Sequence, residues 1–479
     1  MAVTQACTEA GRNDRAHERI TSIVFVGFGA IGRALMPILL SKMAQDVTFV
    51  AIDPLGAADD IRRDYGPRIT YMKTRVTSEN HRALLEPLLG PHVFLLNLTT
   101  GASSLALITL CQHTDTLYLD TGIEPWSGGY TDPVTHTRVT NYALRKEVLD
   151  ARSSHPGMRT AVIAHGANPG LISHFAKAAL LEMAARACAP DAVPASREAW
   201  AKLARDLGVK VMQVAERDMQ QIGDDVPSHT FVNTWSVIGL LEEMNQPAEF
   251  GLGTHETTLP DAVLTQGDDK VAAYFPMPGA GVRVRSWMPE GPYVGMMITH
   301  NESISLADYL TCRAPGERLY RPTVYYAYRP CDATMASIDA WRDRTCQNPD
   351  RTQVLKPEGI VSGADYLGIL IMSDSGKSIW YGSILRIEDA VSIVPFNTAT
   401  TLQVAAGVYG GMVWAIDHPC EGVVEAEGMD HEVVLAAARP YLGVVQGFDT
   451  EWSPHAEDGH ASPRSGVVKR SLQLREFLV

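Results

Sequence analysis

The chain has 479 residues, more than one ordinary domain carries, and its 46% hydrophobic and 20% charged content is that of a globular, soluble protein. A formal net charge of -14 leaves no basic stripe to neutralise phosphates, which argues against a nucleic-acid partner and is compatible with cationic substrates. Seven dispersed cysteines show no C-x-x-C or Cys/His spacing, and the polar N-terminus lacks an apolar signal core. The expectation is a reduced, cytoplasmic protein with no metal site and no membrane span.

Residues 22–26 (SIVFV) form a β-branched run that stops at GFGAIG, and the helical pattern RALMPILLSKMAQD follows. A second apolar run, VTFVAID, ends on Asp53. Further strands are expected at 69–72, 93–98 and 117–120, with helical stretches such as HRALLEPLL and SSLALITLCQH between them. Short strands alternating with helices argue for a parallel α/β sheet.

The glycine run gains meaning from this context. Gly27 suits the tight turn, Gly29 lets backbone approach a pyrophosphate, and Gly32 allows close helix–strand packing, with Ala30 and Ile31 opening the helix. Helix amides and dipole then favour the phosphates. Asp53 is placed to accept from the adenosine ribose hydroxyls and would repel a 2′-phosphate, so NAD is favoured over NADP. Asn97, Thr99, Asp120 and Thr121 end later strands, where ligands cross such a sheet. An ordinary strand-end turn is the other reading of those four residues.

Around residue 150 the texture changes. AVIAHGANPGLISHFAKAALLEMAARA reads as a buried strand, a Gly/Pro turn and a long helix. Residues 190–395 mix helix and strand with much Gly and Pro, and TATTLQVAAGVYGGMVWAI is again helical. HAEDGHASPRSG reads as a mobile tail. The expected fold is α/β: an N-terminal Rossmann-type doubly wound parallel sheet (20–169), then a mixed α/β substrate and dimerisation domain (170–395). A helical segment (396–450) returns to the first domain, and 451–479 is a tail.

Several acids sit in apolar or small-residue settings: Glu124 in DTGIEPW, Glu216 in VMQVAERD, and His300 with Glu302 in MMITHNES. The stretch NTWSVIGLLEE adds Trp235 and Glu243. Each has a bland reading, as a surface ion pair, a core histidine or a solvated helix face. Together they are what an amine site needs. An ammonium requires partners to offset lost hydration, and an indole face favours a cation. Hydride removal from a carbon bearing nitrogen also requires that nitrogen to be neutral, so a carboxylate or histidine must take its proton.

GFGAIGR, AIDP, Asn97-Leu98, DTGIEPW, GANPG, VAERD, VNTW, RVRSW, THNESIS, RPTVYYAY and MVWAI, in this order, resemble the bacterial homospermidine synthases, within the saccharopine-dehydrogenase-like enzymes. The resemblance spans residues 20–450. It implies a homodimer holding NAD tightly as a prosthetic group and joining two putrescines, or putrescine and spermidine, into sym-homospermidine without net oxidation. It also implies site roles: Trp235 stabilises cationic intermediates, and Glu243 binds the substrate amine. Asn168 of GANPG, Glu124, Glu216, His300 and Glu302 complete the pocket.

One position departs from the family pattern: Gly101 of NLTTGASS stands where an acid is often found. Two other readings stay open. A related reductase with net NAD(P)H turnover would need a substrate-carboxylate partner, for which Arg283 and Arg285 are available. A non-catalytic NAD-binding regulator would keep the glycine loop without needing the acids.

Overall fold

The computed structural model describes residues 19–131, 140–153, 158–187, 193–223, 226, 229–267, 269–313, 316, 318–343, 349–454 and 470–479. Two compact units are present. One comprises Met1–Leu171 with Ala390–Tyr441, the other Ile172–Asp389 with Leu442–Val479.

The first unit is built on a seven-stranded sheet. Its order is Val423–Glu425, Ala161–Ile163, Leu117–Asp120, Val93–Asn97, Ser22–Val26, Thr48–Ile52, Ile69–Met72, all parallel. The chain runs outward from Ser22–Val26 to one edge and then restarts at Val93–Asn97 toward the other. The switch point lies between those two strands, where such sheets bind ligands at their carboxyl ends. Strands buried on both faces need apolar residues at nearly every position, and Val24, Val26, Leu95 and Ile163 supply them.

The helix Ala399–Asp417 belongs to this unit and starts with a capping box, Thr398 and Thr401 bonding each other's backbone N–H. It lies so close to the sheet that a Cβ on Gly407 would stand 2.0 Å from the Gly166 carbonyl oxygen. The helix is long and apolar enough to cross a membrane, yet most of it is buried within the fold. The last strand is tied in by Arg145, whose Nε and second guanidinium nitrogen donate to Glu425 at 2.6 and 2.7 Å.

The second unit holds a ten-stranded mixed sheet. Val209–Asp218 lies at its centre, parallel to Thr323–Arg329 and antiparallel to Ala364–Ser373. Strand periodicity divides these three strands between two faces. Val211, Ala215, Tyr325, Ala327, Ala364 and Tyr366 enter the core with Phe250, Trp380, Leu474 and Phe477. The alternate positions Glu216, Asp218, Tyr326, Tyr328 and Asp365 take the opposite face, and all five are buried.

The C-terminal boundaries need correction. Val444–Thr450, expected with the helical segment, pairs with Ser378–Arg386 in the second unit's sheet. Residues 470–479 are no tail either. Glu256 accepts from the Leu474 amide, and Leu474 and Phe477 are fully buried. The segment HAEDGHASPRSG lies outside the described residues.

Candidate active site

The glycine loop opens at Gly27, whose amide donates to the Ile52 carbonyl at 2.9 Å and whose φ is +88°. A side chain there would be strained, and its Cβ would meet Thr99 Cβ at 2.8 Å. Around Gly29 a Cβ would meet nothing within 4 Å, so a ligand can reach the backbone. No side chain caps the helix Ala30–Lys42 at Gly29, which offers the first amides, from Ala30 and Ile31 on, to an anion. At Gly32 a Cβ would stand 3.0 Å from the Phe28 ring and 3.3 Å from the Gly27 carbonyl oxygen.

Asp53 binds this loop together. Its carboxylate accepts from the Phe28 amide at 2.9 Å and the Leu55 amide at 2.8 Å. Each oxygen retains a lone pair for a ribose hydroxyl. Asn97 is buried at the switch point, its Nδ2 donating to Ala102 at 3.2 Å and Tyr118 Oη at 3.3 Å, while its Oδ1 has no hydrogen-bond partner. A buried acceptor left so is costly unless a ligand supplies the donor. The open glycine, the uncapped helix, the ribose acid and this acceptor together fit a dinucleotide.

Asp120 differs from its expected part as a direct cofactor contact. It is wholly buried, accepting from the Ala164 amide at 2.6 Å and Tyr118 Oη at 2.8 Å. Burial pushes its carboxyl up to about 7, against the opposing bonds from Ala164, Ser104 and Tyr118. It therefore braces Tyr118, which accepts from Asn97, and holds Ala164 at a φ of +53°. Thr121 and Thr99 remain at the strand ends, half-buried. A Cβ on Gly166 would lie 3.5 Å from the Thr121 methyl, which puts the GANPG turn with Asn168 beside that strand end. Glu124 is half-buried, its amide donating to Ser104 Oγ at 3.0 Å.

Gly101, the departure from the family pattern, has a φ of +85°. A Cβ there would stand 2.3 Å from Ser127 Oγ. The position is occupied by Ser127, which bonds the Gly101 carbonyl oxygen through its amide at 2.9 Å.

The second unit gathers the remaining candidates. Ser236 caps the helix Val237–Asn245, placing Trp235 just ahead of it and Glu243 further along. His300 lies at the start of the helix Asn301–Tyr309, with Glu302 in the first turn, where the helix dipole favours an anion. Glu243 Oε2 is 3.2 Å from His300 Nε2, and Glu302 Oε1 is 3.3 Å from Nδ1. Burial opposes the imidazolium charge, but Glu302 and Glu243 on either side outweigh it and raise His300 to about 10. This favours the imidazolium form at neutral pH.

Aromatic rings connect this triplet to Trp235. The His300 ring lies 4.4 Å from Tyr326, and Tyr326 stacks on Tyr328 at 5.3 Å. Tyr328 Oη accepts from Trp235 Nε1 at 3.1 Å, and Tyr326 Oη donates to the buried Glu216 carboxylate. The structure thus brings Trp235, Glu216, Glu243, His300 and Glu302 together. Arg285 is engaged elsewhere, donating to the Leu478 carbonyl at 2.6 Å, so it is not offered to a substrate carboxylate.

Residues 23–162 match the saccharopine dehydrogenase NADP binding domain family, and 166–447 the saccharopine dehydrogenase C-terminal domain family. Homospermidine synthase of Blastochloris viridis is 42% identical over 467 residues, covering 95% of this chain and 97% of the relative. The chain belongs to the homospermidine synthase family. A second homospermidine synthase, from Mesorhizobium japonicum, is 39% identical over 98% of this chain and 99% of its own. The crystal structure of homospermidine synthase from Legionella pneumophila in complex with NAD superposes with a TM-score of 0.87 at 39% identity, covering 96% of this chain and 99% of that one.

Four residues near this site carry no role in the sequence reading: Tyr326, Tyr328, Asp218 and Asp365. The tyrosines stand two apart in RPTVYYAY, the spacing that puts both on one strand face. Asp218 and Asp365 are register partners on adjacent strands, a pairing no single-sequence pattern reveals.

Proposed function

We propose that this protein makes sym-homospermidine from putrescine, with spermidine as an alternative aminobutyl donor, using NAD as a tightly held prosthetic group. Bound in the first unit's glycine loop, NAD would accept a hydride from the amine carbon and return it to the later imine. The chain's own residues handle charge. In the second unit Glu216 and Glu243 bind ammonium groups and keep them desolvated only where a carboxylate faces them. Trp235 presents its indole face to the cationic intermediates, a contact worth about 2 kcal/mol when desolvated. Glu302 and His300 hold Glu243 in place, because the imidazolium between two carboxylates fixes both.

The observation that carries this reading is the set of buried Glu216, His300 and Glu302 with half-buried Trp235 and Glu243, in a chain 42% identical to a homospermidine synthase across nearly its whole length. The same reading takes the protein as a cytoplasmic homodimer, which light scattering of the purified protein checks. The deciding experiment is mass spectrometry of products after incubation with NAD and putrescine deuterated at both carbons next to nitrogen. Homospermidine plus ammonia, with the abstracted deuterium returned to the product, supports the reading. Net NADH without a triamine would replace it with an ordinary amine dehydrogenase.

A further inference from the structure

An indole stabilises a cation only when its face is turned to the charge, so its orientation matters as much as its presence. Trp235 lies outside any helix or strand, where a free side chain would sample several rotamers. Its surroundings remove that freedom at both ends of the ring system. On the pyrrole side, Nε1 donates to Tyr328 Oη at 3.1 Å. On the benzo side, Cζ3 lies where a Cβ on Gly239 would stand only 2.9 Å away, so the ring rests on the one helical position without a side chain. The backbone beneath is pinned as well, since Thr234 Oγ1 donates to the buried Asp218 carboxylate at 2.7 Å.

We infer that Tyr328 and Gly239 are positioning residues that fix the plane of the Trp235 indole, and that they act on the reaction only through that ring. This rests on the cation-stabilising part given to Trp235 above. Tyr328 is suited to the task because it is itself immobile: its ring is buried and stacked on Tyr326. Its phenol stays protonated, burial and the nearby Glu216 and Asp218 raising it well above the ordinary value. Gly239 is suited because any larger residue would tilt the indole while leaving every polar group intact.

A double-mutant cycle on the full-length, NAD-loaded protein tests this, reading kcat/KM for putrescine alongside NAD affinity and Tm. Tyr328→Phe keeps the stacked ring and loses one hydrogen bond, so kcat/KM falls roughly fivefold to tenfold with NAD affinity unchanged. Gly239→Ala, which deletes nothing, lowers kcat/KM as well. In a Trp235→Phe background both substitutions are expected to cost nothing further. Additive losses in that background overturn the inference, because the two residues then act by another route, as does an unchanged kcat/KM in both single variants. If Trp235→Phe alone leaves kcat/KM untouched, the part given to Trp235 fails, and the positioning inference fails with it.

Discussion

The phenol of Tyr326 donates to the carboxylate of Glu216, and both side chains are more than nine-tenths buried in the second unit. A carboxylate in such a place has to be paired, and the Tyr326 phenol is a neutral donor that does not cancel its charge. Glu216→Gln keeps an acceptor for Tyr326 and removes the charge. It should lower kcat/KM for putrescine by at least a hundredfold with Tm nearly unchanged. Tyr326→Phe should behave differently, costing about 1–3 kcal/mol of stability because a buried acceptor loses its donor. Urea titration of both variants separates the two cases, and equal destabilisation by both would sink the argument.

His300 ties stability to pH. Its folded value is raised to about 10 from 6.5, burial opposing the charge and Glu302 and Glu243 more than restoring it. A group raised on folding contributes stability that is fully present below its unfolded value and lost as pH rises through its folded one. The contribution should thus be complete at pH 6 and vanish as pH passes about 10. His300→Gln lacks it throughout. Thermal melts of both proteins across this range should show a gap in Tm that is widest at pH 6 and shrinks toward pH 10.5; a constant gap would assign the difference to packing instead.

Much of the nucleotide half was legible in the residues, because its geometry leaves few choices. Only glycine tolerates the φ of +88° at position 27 beside Thr99, so GFGAIG after a strand carries its own explanation. Asp120 was misread for an equally physical reason. An acid at a strand's carboxyl end looks the same whether it faces a ligand or a buried tyrosine, and only the approach of Tyr118 and the Ala164 amide distinguishes them. Trp235 and Glu243 share one stretch of chain and could be weighed together. Their connection to Glu216 runs through Tyr326 and Tyr328 on another strand, and that depends on sheet register. The final residues did not read as part of a core because Leu472, Leu474 and Phe477 are too few apolar side chains to announce one.

Gly101 should resist conversion to the acid that the family resemblance leads one to expect there. A non-glycine residue at positive φ costs about 1–2 kcal/mol, and the new Cβ would collide with Ser127 Oγ at 2.3 Å. Gly101→Glu is therefore expected to lower Tm without raising kcat/KM for putrescine. Adding Ser127→Gly should recover part of the lost Tm by clearing the collision while leaving the backbone strain. A rise in activity from the single substitution would overturn the reading of position 101 as closed to a side chain.

Phe477 closes the second unit's core from the far end of the chain. Its ring is fully buried, 6.0 Å from Tyr325, and Leu474 beside it is equally enclosed. The segment is held by polar contacts too: Glu256 accepts from the Leu474 amide at 3.0 Å, and Gln473 donates to the His255 carbonyl at 2.9 Å. Tyr325 belongs to the strand whose other face carries Tyr326 and Tyr328, so loosening its packing should reach the amine residues. Phe477→Ala removes a buried aromatic side chain and should cost about 3–5 kcal/mol. Urea unfolding should show that loss as a lower midpoint, with kcat/KM for putrescine falling before the unit unfolds. An unfolding free energy within about 0.5 kcal/mol of the parent's, the ordinary range for surface positions, would return the last residues to the status of a tail.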